Sequence, residues 1–422
     1  MNDLPLVIVS SDCHIGPRLV EDLRDYCPWA LLAAFDEYVE VGERSRGRYV
    51  EHDATDTSAL SPWRNRRTAG HHDPVARRRD LDFEGVAAEV IFHGSQNDQP
   101  IPFQTSMLGP PEDSALAAAG IRIYNRWLAD VCAGEPHRHV GLAHVPMWDL
   151  DAAVAELRWA RDAGLKGVNF PAPRPWLRPF NDPSWEPLWA TASELQLPLA
   201  THSGAGDTTV QSGPELVALV SIESGGWFSR RAAHLLIFGG VFERHPDLKL
   251  VLTEQPGTWW PALCNELDSV HMATTRGNEA LQTQVPRLPS EYLHHNVFIG
   301  ASFLSREEAV GAIRDGYADR VMWGSDYPHM EGTFQYPGTD DFAGHASYGK
   351  LSMRFTFAGL PEAAVRAMLG ETAAAVYGLD PARLAAIARS IGAPTFEDVS
   401  EPLQEVPSGA SPFAFRTFGP WS

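Results

Sequence analysis

Asp12 and His14 stand two residues apart in Ser10-Ser11-Asp12-Cys13-His14, directly after the apolar run Leu4-Pro5-Leu6-Val7-Ile8-Val9. That run is short, β-branched and followed by small polar residues, which predicts a buried strand. Alternate residues of a strand point to one side. Asp12 and His14 therefore share a face at the strand's C-terminal end, with Cys13 turned into the wall. A carboxylate beside an imidazole in that setting suits a divalent metal. The plain alternative is an Asp–His hydrogen bond at a turn, so the motif needs partners elsewhere. The chain offers several in matching places. His93 ends the run from Val86, His202 follows Leu197–Thr201, Glu254 follows Leu248–Thr253, and Asp326 follows Arg320–Gly324.

Each partner also has a bland reading. His202 could be a buried core histidine, Asp326 before Tyr327-Pro328 a turn residue, and Glu254 before Gln255-Pro256-Gly257 an exposed loop acid. His93 and the pair His71-His72 could be loop residues. His329 and His271 carry less weight still. The recurrence of metal-capable side chains at the ends of successive apolar runs favours one convergent site over five coincidences.

The elements that would place them follow a regular rhythm. Apolar runs ending near residues 9, 92, 144, 170, 201, 253, 300 and 324 alternate with helical patterns, among them 113–131, 150–163, 184–195, 259–273 and 305–316. Eight strands alternating with helices predict an α/β fold, a (β/α)8 TIM barrel, whose active residues gather at the strand C-terminal ends. No Gly-rich phosphate loop follows the first strand, against a doubly wound dinucleotide fold. The expected barrel spans 1–379, with a polar insertion over about 15–80 after the first strand. An extension over 380–422 has no evident barrel role. Its Phe413, Phe415 and Phe418 need covering, so it is expected to pack on a neighbouring subunit as a homo- or hetero-oligomer.

The formal charge of −20 and the pI of about 5.2 argue against nucleic acid or anionic membrane as partners and leave a small-molecule substrate. No apolar run is long enough to span a bilayer. The start lacks the basic region of a secretory signal, and the expected location is cytoplasmic. The four cysteines are too scattered for a metal knuckle or a disulfide framework.

Several motifs together resemble the amidohydrolase superfamily, in its group that includes the aminocarboxymuconate semialdehyde and resorcylate decarboxylases. They are Ser11-Asp12-Cys13-His14, Asp82 to Val90, Ile123 to Leu128, His202, Leu288 to Tyr292 and Val321 to His329. The resemblance implies metal ligands at Asp12, His14, His202 and Asp326. Two departures stand out. Glu254 occupies the place of the acid/base histidine that those decarboxylases carry after strand six. Asn169-Phe170-Pro171 lacks the bridging lysine or glutamate of binuclear hydrolases. Glu254 then becomes the candidate bridge to a second metal, with His71, His72 and His93 as candidate further ligands. That pattern is similar to the superfamily's dinuclear oxygenase branch.

The first expectation is therefore O2-dependent hydroxylation of a small organic acid or amine at an iron or manganese pair, with Glu254, Asp326 and His202 catalytic. The alternative is hydrolysis or non-oxidative decarboxylation of a small carboxylate at one metal, zinc fitting best, with Asp326 as proton acceptor or Glu254 as general base. A third reading is a catalytically silent barrel supporting a partner subunit.

Overall fold

The computed structural model describes residues 4–46, 64–104, 110–203, 228–255 and 257–407, together with 218, 219, 222, 410–412 and 414–416. Eight strands form one parallel sheet in chain order: β1 (Val9–Ile15), β2 (Ala88–His93), β3 (His139–His144), β4 (Gly167–Asn169), β5 (Leu199–His202), β6 (Leu250–Thr253), β7 (Val297–Ser302) and β8 (Val321–Gly324). Their apolar runs are buried on both faces, as a parallel sheet covered by helices requires. β1 and β8 meet through a Cys13–Tyr327 bridge and the Asp326 N–H donated to the Asp12 carbonyl at 2.9 Å, nearly closing the barrel.

Helices run back between strands, among them Ser114–Gly134, Leu150–Asp162, Glu186–Glu194, Phe228–Phe238, Trp260–Thr274 and Arg306–Arg314. Val9, Val90, Val140, Ala200, Val251, Phe298 and Met322 fill the barrel interior, one from each of seven strands. A larger apolar layer lies between the strands and the helices.

Three expectations need correction. First, the strand is not Leu4–Val9 but begins at Val9, so Asp12 and His14 lie within it. Leu6 N–H donates to the Pro394 carbonyl at 2.8 Å and Pro5 bridges Thr395, which draws the first residues out of the barrel sheet. Second, the regular alternation of strand and helix breaks after β8, where 361–377 forms three pieces: Glu362–Arg366, a π turn over Ala367–Glu371, and Thr372–Tyr377. The Val7 carbonyl passes so close to Gly370 that a Cβ there would sit 2.1 Å from its oxygen. Third, the extension does have a barrel role. Leu384, Ala388 and Ala393 join the interior core, while Ala410, Ala414 and Phe415 pack with Phe303. Phe415 is thus covered within its own chain; Phe413 and Phe418 lie outside the described residues, as does 47–63 of the insertion.

One buried acid makes the fold pH-sensitive. Glu84 accepts from Ser347 Oγ at 3.0 Å, and burial pushes its pKa from 4.5 up to about 8. The folded chain thus keeps a proton that the unfolded chain releases. The associated stability is fully present below about pH 4.5 and is lost as pH rises towards about 8, at no more than about 1.4 kcal/mol per pH unit. Glu84→Gln removes this slope. Denaturant unfolding at about pH 5 and about pH 8 should show the variant gaining on the parent only at the higher pH. Equal gains at both would refute the assignment.

Candidate metal centre

β1, β5 and β8 bring Asp12, His14, His202 and Asp326 to one point at the strand C-terminal ends. His14 Nε2 lies 3.2 Å from Asp12 Oδ1 and 3.3 Å from Asp326 Oδ1, and His202 Nε2 lies 3.4 Å from Asp12 Oδ1. Asp12 and Asp326 are wholly buried. Despite this closeness, Asp12 Oδ1, His14 Nε2, His202 Nε2 and both Asp326 carboxylate oxygens are buried with no hydrogen-bond partner. Buried polar atoms normally find partners. Five orphaned atoms facing one another are explained by a cation, which each of them can ligate, so the residues fit a divalent metal.

The supporting contacts point the same way. His14 Nδ1 is 3.2 Å from the His93 carbonyl oxygen and His202 Nδ1 is 2.8 Å from the Ser203 carbonyl oxygen. A carbonyl only accepts, so each Nδ1 carries a proton, which leaves each inward-aimed Nε2 as the nitrogen able to ligate. Anchoring a ligand histidine through its other nitrogen in this way fixes ring and tautomer. The second Asp12 oxygen accepts from Ser302 Oγ. Glu254 and Asp326 have left-handed backbones, with φ of 53° and 55°. Non-glycine residues rarely adopt that conformation, and it clusters at functional sites.

Charge is crowded here. Burial alone would raise the Asp12 carboxyl, but His202 and His14 beside it hold it well below the carboxylate range. Burial likewise opposes charge on His202, yet Asp12 and Glu254 outweigh it and push it up. Glu254 Oε2 lies 3.6 Å from His202 Nδ1 with 20% of its side chain exposed. Burial is the main cause that lifts its pKa to about 8; Asp326, Asp12 and Glu331 add to it against the pull of His202.

Three expected ligands do not join the centre. His71 spends both ring nitrogens, on Ser95 Oγ at 3.0 Å and the Asn65 carbonyl at 2.9 Å. His72 sits half-buried among Arg18, Asp22 and Asp73. His93 gives its carbonyl to His14, but its ring turns to Tyr124 and His144, and burial holds it neutral to about pH 3. His271 is buried against the Val285 carbonyl.

Two residues that sequence reasoning undervalued or missed take their place. His329 stacks on His14 at 3.8 Å between ring centroids, donates Nε2–H to the Gly94 carbonyl at 2.7 Å, and lies 3.1 Å from Asp326 Oδ1 and 3.5 Å from Glu331 Oε1. Burial opposes its charge, but those two acids push its pKa well above the usual value. Glu331, missed altogether, groups with Glu254 and Asp326 with ligand atoms within 4.8 Å of one another. Both follow Asp326 within five residues, and that density of ionisable groups after a strand end was the available signal. Three large aromatics are spent on packing: Trp260 stacks on Tyr317, Tyr327 donates to Asp80, and Phe103 packs on Phe35 and Tyr38.

The amidohydrolase family model matches residues 102–379, well over half of the chain. The chain belongs to the amidohydrolase family. Gamma-resorcylate decarboxylase of Rhizobium sp. is 25% identical to this amidohydrolase over 270 residues, 60% of this chain and 76% of that protein. The 2-amino-3-carboxymuconate-6-semialdehyde decarboxylase of Dictyostelium discoideum is 24% identical over 262 residues, 61% of this chain and 67% of that protein. A 5-carboxyvanillate decarboxylase of Novosphingobium aromaticivorans, solved with manganese and 4-hydroxy-3-methoxy-5-nitrobenzoic acid, shares the fold with a TM-score of 0.59 at 19% identity, over 88% of this chain and 96% of that one. These relatives favour the decarboxylase alternative over the hydroxylase expectation. Among the described residues, no helix of this amidohydrolase is long and apolar enough to cross a membrane.

Proposed function

We propose that this amidohydrolase is a metal-dependent decarboxylase of a small unsaturated or aromatic carboxylate. The observation that carries the reading is the convergence of five orphaned buried atoms from Asp12, His14, His202 and Asp326. Two imidazoles and two carboxylates suit manganese or zinc, and a relative's fold holds manganese. The curated relatives named above are decarboxylases of gamma-resorcylate and of 2-amino-3-carboxymuconate-6-semialdehyde, which supports this substrate class.

A divalent ion held by these four residues supplies Lewis-acid polarisation of a substrate oxygen. The rest falls to the chain. Asp12 and Asp326, fully buried, keep the ligand geometry rigid and exclude water beneath the substrate. Glu254, partly open to the mouth, retains its proton towards neutral pH. When the bond to the carboxylate carbon breaks, its electron pair stays on the substrate carbon, CO2 leaves, and the Glu254 carboxyl proton passes to that carbon. A raised glutamate thereby does the work of the absent histidine.

The test is CO2 release from hydroxylated benzoates by metal-loaded enzyme without O2. Glu254→Gln should slow turnover about 10²–10⁴-fold, the usual worth of a positioned acid, with metal content unchanged. Turnover that needs O2 would overturn the reading. A second reading, hydroxylation at two metals, draws on the Glu254, Asp326 and Glu331 group, which adds two further carboxylates, Glu254 and Glu331, beside the shared Asp326. It expects two metals per chain together with O2 uptake.

A further inference from the structure

Arg230 sits in the first turn of the helix Phe228–Phe238, which follows β5. In a βα unit that turn lies at the barrel face carrying the strand C-terminal ends, the face of the metal centre. Its Nε donates to Gln255 Oε1 at 3.0 Å, and its guanidinium lies 4.4 Å from the centre of the Trp259 ring. Gln255, itself 1% exposed, follows Glu254 directly, and its carbonyl accepts from Trp259 Nε1 at 3.1 Å. Arg230 is therefore tied to the residue that follows the proposed proton donor, stacked and hydrogen-bonded through one edge only. Its two Nη groups make no hydrogen bond or ion pair among the described residues.

That is unusual for this chain, where 54 acids face 34 Lys and Arg residues. The arginines that follow the first motif and lie in the insertion are already engaged. Arg18 pairs with Asp22 at 2.9 Å, Arg66 pairs with Asp98 at 3.0 Å, and Arg64 donates to the Tyr336 carbonyl at 2.8 Å. Among the described residues, Arg230 has no carboxylate beside it, and partial burial draws its pKa down to about 10, still fully charged at neutral pH. A half-buried guanidinium, held rigid on an aromatic face with its fork open, is built for a planar oxyanion.

We propose that Arg230 is a specificity-determining residue that anchors a second carboxylate of the substrate, separate from the one released at the metal centre. The proposal rests on the decarboxylase reading and narrows its substrates to dicarboxylates. A second carboxylate held by Arg230 turns the reacting carbon towards Glu254 and the metal ligands. The rotation about the fixed end is lost on binding rather than during reaction.

Isothermal titration of the full-length, metal-loaded protein with isophthalate and benzoate tests this without turnover. The parent should bind isophthalate about 10-fold or more tightly than benzoate, the scale of one charge-assisted pair. Arg230→Gln should lower isophthalate affinity to that of benzoate and leave benzoate binding as it was. Arg230→Lys should restore part of the preference, since it keeps the charge but not the fork. Equal affinities in the parent, no isophthalate binding, or a preference that survives Arg230→Gln would each overturn the proposal. Because neither probe needs to react, the result is independent of CO2 release. A binding preference without CO2 production would fault the decarboxylase reading alone, and CO2 production without the preference would fault Arg230 alone.

Discussion

Asp12→Asn is expected to empty the metal centre and leave the fold standing. The change is isosteric, so Ser302 Oγ can keep its bond to the side-chain oxygen. The other position becomes an amide NH2 facing His14 Nε2 and His202 Nε2, which lie 3.2 Å and 3.4 Å from the present Oδ1. Both lone pairs then gain a donor, and the cluster loses one of its negative charges. The orphaned atoms that call for a cation become satisfied by the protein itself. Turnover should fall about 10³-fold or more, since Lewis-acid polarisation is worth several kcal/mol. Elemental analysis should find the metal lost. The melting temperature of the metal-free variant should equal or exceed that of the metal-free parent, because buried like charges have been diluted. A variant that retains its metal and more than about a tenth of its activity would remove Asp12 from the ligand set.

The barrel was legible because its signal is repetitive. Eight apolar runs, each ended by polar or metal-capable residues, leave few other parallel arrangements, and seven of the eight strands lie within a few residues of their expected places, while β1 begins where its expected run ends. Asp12, His14, His202, Glu254 and Asp326 were legible for the same reason, since strand ends collect at one face. What escaped depends on loop geometry. In sequence His71, His72 and His93 carried more weight than His329. The fold separates them by which nitrogen meets which carbonyl: His71 is consumed by Asn65 and Ser95, while His329 keeps Nδ1 turned to Asp326. Glu331 and Arg230 are ordinary charged residues in sequence. Only the turn after β8 and the first turn of the helix after β5 give them a position. The extension was misread because its core contacts are long-range. Leu384 and Ala388 meet strands hundreds of residues earlier, and no local pattern announces that.

Arg77→Met should cost the fold about 3–5 kcal/mol, the usual result of breaking a buried ion pair from one side. Arg77 and Glu89 are both fully buried under the centre, joined through Nε–Oε1 at 2.7 Å and Nη2–Oε2 at 2.5 Å. Burial would raise Glu89, but Arg77 and His139 hold it far below the usual carboxylate range. The pair therefore stays ionised well into the acidic range. Methionine fills a similar volume but leaves Glu89 with only His139 Nδ1, at 2.9 Å, to offset its charge. It also strands the carbonyls of His14 and Gly70, which Arg77 Nη1 meets at 2.6 Å and 3.1 Å. The His14 contact links stability to chemistry, because Arg77 seats the backbone of a metal ligand. Losing such support typically weakens metal affinity 10–100-fold. The double variant Arg77→Met with Glu89→Gln removes the unpaired charge and should recover a large share of the stability. It should recover little of the affinity, since the His14 carbonyl stays unmet. Urea unfolding and metal titration of both variants separate the two effects. If the double variant were no more stable than Arg77→Met, the loss would come from packing or the stranded carbonyls rather than from the buried charge of Glu89.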